Sequence, residues 1–271
     1  MLSAWQSAEN ESVDLVNFVR ARLEDPTERI LFIEELLKYG EEEEYGYFLS
    51  GKTTIPSSVI FEKRYDSEET FSLPSFEPCA ITLHDLIYAR KSVREYGTDP
   101  VPLTALSALL TYSYGVRKIA PSYNHPTFTF RTAPSAGGLQ STEVYVIAQR
   151  VGGLKPGVYH YNARRNCLEK LFEGLLRGKM RSLCSQEMVA EAGVVVVLTM
   201  MLPRGTWKYL ARYYKFALVD IGCVAENFHL VATALGFGSC IVAAFQQEGV
   251  AKMLQLDRNE LPTLLLSIGS K

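Results

Sequence analysis

The sequence predicts an α+β fold, and three observations carry that reading. Helical and strand patterns mix from Thr82 onward without the strict alternation of a doubly wound sheet. The run Val194–Met201 is continuously apolar and rich in β-branched residues, the pattern of a strand buried on both faces. Residues 213–235 form a long, largely apolar helix, stopped by Gly236 as the glycine just past its end. The chain divides into an N-terminal helical and extended arm, residues 1–80, and a main domain, residues 81–271.

Taken in order, residues 14–23 and 28–39 carry helical apolar spacing, the second through Ile30, Ile33, Leu36 and Leu37. Pro26 and Thr27 break the two, with Thr27 a candidate cap for the second. The acidic run 41–44 reads as a solvated helix end. Residues 52–78 are rich in Ser, Thr, Pro and aromatics and read as an extended arm. Thr82 caps a helix that runs to Ala89, and Leu103–Tyr114 is the next helix. Residues 120–135 are turn-rich. Residues 143–150 and 157–161 read as strands, as do 238–244 and 261–268. The long helix shows Leu218, Val219, Ile221, Val224, Phe228, Leu230 and Val231 around most of its circumference. It is therefore buried on more than one face. Its small residues Ala217, Gly222, Ala225 and Ala232 admit close packing, either within one core or across a dimer interface.

The 271 residues are 47% hydrophobic, enough for a sizeable core. A net charge of −2 provides no global basic field for nucleic acid or an acidic membrane, although a few local cations suffice for a phosphate. The apolar runs fall short of the roughly 20 residues of a membrane helix, and the first ten residues lack a signal-peptide pattern. Five scattered cysteines, with no C-x-x-C pair, point to a reducing cytoplasm rather than a disulfide framework. The four histidines show no ligand spacing, so no metal is expected.

Several short motifs bear chemistry. Arg90, Lys91, Ser92 and Arg94 gather three cations and a hydroxyl just after a helix, suited to a phosphate. Arg131-Thr132-Ala133-Pro134-Ser135-Ala136-Gly137-Gly138 leads into a strand, and its glycines let backbone approach a flat ligand. No G-x-G-x-x-G follows a strand, which disfavours a Rossmann site. Lys208 and Tyr209 pair two groups able to move protons in a suitable pocket. Read singly, each of these is also an ordinary surface turn or helix start. Gly236-Phe237-Gly238-Ser239-Cys240 and the terminal Ile268-Gly269-Ser270-Lys271 are bland alone.

In this order the motifs resemble the nitroreductase-like flavoproteins, and more narrowly the SagB-type dehydrogenases, which oxidise azolines in peptide natural products. ARKSVREY, RTAPSAGGLQSTEVYVI, GLKPGVYHYNARRNCLEKL and FALVDIGCVAENFHLVATALGFGS carry the resemblance, which covers residues 82–271. The resemblance implies the FMN-dependent nitroreductase fold, a mostly antiparallel central sheet flanked by helices, in a homodimer. It implies that Arg90, Lys91, Ser92 and Arg94 hold the FMN phosphate and ribityl chain. Pro134, Ser135, Ala136, Gly137 and Gly138 would lie along the isoalloxazine of a flavin carried mainly by the other subunit. Gly238 and Ser239 would sit near the ring edge, and the terminal Lys271 is the candidate for the basic residue that reaches the phosphate in relatives. Lys208 and Tyr209 match the catalytic Lys-Tyr pair of the azole-forming oxidases. The activity implied is oxidation of thiazoline or oxazoline to thiazole or oxazole in a precursor peptide, beside a cyclodehydratase, with O2 as electron acceptor. Two alternatives share part of this reading: an NAD(P)H-dependent nitro or quinone reductase, and a docking subunit of a peptide-modifying complex.

Overall fold

The computed structural model describes residues 24–38, 54–67, 69–78 and 80–271. The expected helix at 14–23 and the acidic run 41–44 lie outside the described residues. The chain separates into two compact units, residues 1–52 with 209–212, and residues 53–208 with 213–271.

In the first unit the described elements are α1 (Pro26–Lys38) and a short 3-10 turn (Leu210–Arg212). Asp25, not Thr27, caps α1: its carboxylate accepts the Glu28 N–H at 2.9 Å. The helix begins at Pro26, whose missing N–H costs nothing in a first turn, so Thr27 already lies inside it.

The second unit is built on a seven-stranded sheet whose neighbouring strands are all antiparallel, in the order β1-β6-β5-β4-β7-β9-β8. The strands are β1 (Thr70–Ser72), β4 (Thr142–Ala148), β5 (Gly157–Asn162), β6 (Cys167–Glu173), β7 (Val194–Met201), β8 (Gly238–Val242) and β9 (Glu260–Gly269). Every residue of β4 and β7 is buried, because both faces of the sheet are covered. One face packs Tyr145, Ile147, Val195 and Val197 against α4 (Arg177–Leu183), α5 (Met188–Glu191) and α8 (Gln247–Leu254). The other lies under α7 (Tyr213–Ala234), which also packs on α2 (Leu83–Ala89) and α3 (Leu103–Tyr114).

The run from Pro203 to Ala234 is apolar enough to cross a bilayer by composition. In the fold α7 turns that apolarity inward, where Ala217, Ile221, Val224, Ala225, Phe228 and Ala232 are buried. Its Leu218 and Val219 remain exposed, as do Leu83, Ile87 and Tyr88 on α2.

The stretch read as turn-rich is a separate hairpin, β2 (Val116–Ser122) and β3 (His125–Arg131). Its two-residue turn places Tyr123 at φ 52° and Asn124 at φ 58°, the left-handed pair of a type I′ hairpin.

Buried charges fasten residues 54–78 to the sheet. Arg204, on α6 (Pro203–Tyr209), donates to the carbonyls of Ile60, Gln140 and Thr142 and pairs with the Glu143 carboxylate. His160 lies between Glu143 at 2.7 Å and Glu169 at 3.0 Å. The Tyr65 N–H donates to Glu169, and Lys63 pairs with Glu260, which also accepts from Tyr145 and Thr199. These groups are paired and hydrogen-bonded, as buried charge requires.

Candidate functional site

The cationic segment follows α2. Thr82 caps that helix by accepting the Asp85 N–H, and Arg90 ends it with extended backbone. The chain then runs along the edge strand β8: Ser92 forms a parallel bridge with Ser239, and the Val93 N–H donates to the Ser239 carbonyl at 2.9 Å. Lys91, Ser92 and Arg94 are exposed, and Arg90 is half-buried. The Arg90 guanidinium lies 3.2 Å from His229 Nε2 and 3.7 Å from the Glu226 carboxylate, both on α7. Burial, together with the charge of Arg90, holds the His229 imidazole below its ordinary pKa, so His229 adds no positive charge of its own at neutral pH.

Gly238 serves this segment by its size. A Cβ there would lie 2.7 Å from Val93 Cγ1, so only glycine lets the cationic run sit on the strand. Ser239 is buried beside it with its hydroxyl unpartnered. Lys271 is exposed past the end of β9, where the Ser270 carbonyl accepts the Gly97 N–H.

The second segment is a tight 3-10 turn, Ala136–Gly138, with Gly137 at φ 59° and Gly138 at φ 70°. Pro134 and Gly137 are exposed, and Ser135, Ala136 and Gly138 are half-buried. Asp220 of α7 grips the turn, accepting the Ala136 N–H and the Ser141 hydroxyl at 2.9 Å each. Burial raises the Asp220 carboxyl, and these two donors oppose the rise. Ser135 Oγ accepts the Gln140 N–H. Nearby, Arg131 Nη1 and Gln140 Nε2 are buried without partners. Asp220 and His229 stand nine residues apart on one helix, about 13.5 Å along its axis. One rod thus holds both segments.

Lys208 and Tyr209 close α6. Lys208 donates to the Tyr123 hydroxyl at 2.8 Å, and that hydroxyl donates to the Gly137 carbonyl at 2.6 Å. The structure therefore connects Lys208 to the glycine turn through one phenol. Tyr209 groups with the first compact unit and Lys208 with the second.

Tyr123, Asp220 and His229 escaped the sequence reading. An acid among apolar neighbours in the long helix was the available signal for Asp220. Tyr123 gave none, because the partner that gives it meaning, Lys208, lies far from it in the chain.

The donor set suits a flavin mononucleotide. Exposed guanidinium, ammonium and hydroxyl groups match a phosphate, and the turn offers backbone and unpartnered polar atoms to a flat, polar ring. Residues 87–270 match the model of the nitroreductase family. A protein of Methanocaldococcus jannaschii assigned as a nitroreductase is 32% identical over 200 residues, 73% of this chain and 95% of that protein. The microcin B17-processing protein McbC of Escherichia coli is 27% identical over 142 residues, 50% of this chain and 52% of that one. The trifolitoxin-processing protein TfxB of Rhizobium leguminosarum bv. trifolii is 24% identical over 213 residues, 75% of this chain and 56% of that one. These last two matches span only about half of each relative. Among solved structures, a nitroreductase-type protein of Ralstonia eutropha superposes with a TM-score of 0.62 at 25% identity, covering 80% of this chain and 96% of that one. A chain of the E. coli microcin synthetase McbBCD complex shares the fold at a TM-score of 0.57 and 21% identity, covering 88% of this chain and 94% of that one. With the family pattern matched from α2 to the end of β9 and the same fold in solved relatives, this chain belongs to the nitroreductase family of oxidoreductases.

Proposed function

We propose that this protein is an FMN-dependent azoline dehydrogenase, converting thiazoline or oxazoline rings of a ribosomally made peptide to thiazole or oxazole. The observation that carries the reading is the tie from Lys208 through Tyr123 to the Gly137 carbonyl, which sets a candidate base beside the turn expected to line the flavin. Likeness to McbC and TfxB, both peptide-toxin processing proteins by name, supports a peptide substrate.

In this proposal Arg90, Lys91, Ser92 and Arg94 hold the phosphate, with Lys271 a further cation. Pro134, Ser135, Ala136, Gly137 and Gly138 face the ring, and Gly238 and Ser239 close its edge. When bound, FMN supplies a hydride acceptor, which O2 restores afterwards. Aromatisation removes one hydride and one proton from adjacent ring carbons. Lys208 takes the proton, with Tyr209 as its electrostatic partner or the reverse; positioned proton transfer is worth on the order of 10²–10⁴-fold.

The exposed apolar residues of α2 and α7 support a homodimer. The fold shared with a McbBCD chain supports a cyclodehydratase partner. The proposed setting is the cytoplasm, from the scattered cysteines.

Two measurements test the proposal. The purified protein should be yellow, with flavin absorbance. Azoline peptide incubated with it should lose about 2 Da per ring, as removal of a hydride and a proton requires. Replacing Lys208 and Tyr209 together by Ala should abolish that loss while FMN stays bound. Normal turnover by the double variant refutes the assignment. Rapid bleaching by NADPH without azoline oxidation favours a nitro or quinone reductase instead.

A further inference from the structure

We infer that Tyr123 is the positioning residue for Lys208, a conclusion that rests on the proposed role of Lys208 as base. Tyr123 sits at the tip of the β2–β3 hairpin with φ 52°. Asparagine takes that conformation readily, but a bulky aromatic seldom does. Tyr123 is held there by tertiary contacts. Its ring meets Phe128 and Trp207 edge-on at centroid distances of 5.7 and 5.8 Å. Its hydroxyl lies between Lys208 and Gly137.

The direction of these two hydrogen bonds matters. A phenol carries one proton and two lone pairs. The Tyr123 proton is committed to the Gly137 carbonyl at 2.6 Å, so Tyr123 can only accept from Lys208, at 2.8 Å. The Lys208 Nζ also lies 4.6 Å from the ring centroid of Tyr123. Tyr123 thus accepts one N–H of the Lys208 side chain and fixes the direction in which that side chain extends. Because the same hydroxyl is hydrogen-bonded to the Gly137 carbonyl, the amine is tied to the turn proposed to line the flavin. A flexible lysine becomes a base with a set position. Tyr123 is not a proton acceptor in the reaction; it acts through Lys208.

The test is Tyr123→Phe in the full-length, flavin-loaded protein with its cyclodehydratase and an azoline peptide. Phenylalanine keeps the ring contacts with Phe128 and Trp207 and removes only the hydroxyl. We expect kcat to fall about 10–100-fold, the scale of a misplaced catalytic group. KM should stay within about twofold, and FMN content and Tm should be unchanged. In the Lys208→Ala background the second substitution should cost nothing further, because the two act as a unit. A crystal structure of Tyr123→Phe should show the Lys208 amine displaced by about 1 Å or more, the scale of shift that lowers rates.

An unchanged kcat with an inactive Lys208→Ala overturns the positioning role and leaves the base assignment standing. Parallel loss of kcat, FMN and Tm also overturns it, in favour of a purely structural role. If Lys208→Ala oxidises azolines normally, the base assignment is what fails, and the crystal structure then decides alone: an unmoved Lys208 amine overturns the inference, and a displaced one supports it.

Discussion

Glu143 and Glu169 grip one imidazole from both sides, which ties the His160 pairing to pH. Burial opposes its protonation, yet the hydrogen bonds to the two carboxylates raise its pKa above the ordinary 6.5. Burial likewise pushes Glu143 up, but Arg204 and His160 pull it down to about 2. A raised histidine stabilises the fold fully below its unfolded pKa and ceases to do so as pH climbs through the folded one. A depressed carboxylate stabilises fully above its unfolded value of 4.5 and loses that contribution as pH falls toward 2. Thermal stability should therefore peak between roughly pH 4.5 and 6.5 and fall on both sides. A melting temperature that stays level from pH 6 to 9 would contradict the His160 assignment. Glu143→Gln leaves Arg204 buried without a counter-charge and should cost about 3–5 kcal/mol in urea unfolding. None of this was legible in the sequence, because Glu143, His160, Glu169 and Arg204 look like ordinary strand and helix residues until the sheet registers align them.

The edge strand β8 and the segment beside it show what one element does for another. Gly238 admits Val93, and Val93 carries the cationic run onto the sheet. Gly238→Ala should displace that run and weaken FMN binding by about tenfold or more, since each charge-assisted bond lost is worth about 1.5–3 kcal/mol. Fluorescence titration of FMN checks this, and unchanged affinity would show that the run does not depend on the strand. The sequence singled out Gly238 for a place near the ring edge but could not supply this packing reason, because Val93 lies far from it along the chain. The helices α2 and α3 and the strand β7 were legible almost to the residue, because capping, periodicity and β-branching are local signals. The β2–β3 hairpin was not. Pro121 and Pro126 interrupt both strands, and proline demotes a strand from sequence alone. A two-stranded ribbon outside the main sheet tolerates them, having free edges.

At the scale of the whole molecule, residues 54–78 are tied into the sheet rather than draped over it. They supply β1 and the Lys63 that neutralises Glu260. A chain beginning at residue 81 should fail to fold, giving aggregated protein without a cooperative melt; a soluble, cooperatively melting product would show the tie to be dispensable. The apolar face shared by α2 and α7 leads to a second expectation. Val219 is 67% exposed and Tyr88 81% exposed, unusual for side chains of that kind unless covered by a partner. Leu218→Glu with Val219→Glu should give a monomer by light scattering that has lost its flavin, whereas an intact yellow dimer would place the interface elsewhere. The sequence by itself determined the α+β class, the family, the long helix and the segments that carry charge and glycine, since each follows from spacing along the chain. Only the tertiary structure decided that Asp220 and His229 hold those segments from one rod, that Tyr123 joins Lys208 to the turn, and that buried charges lock residues 54–78 in place. Most of those contacts join residues some 80 to 200 positions apart, and local propensity carries no information about pairs that only folding brings within hydrogen-bond reach.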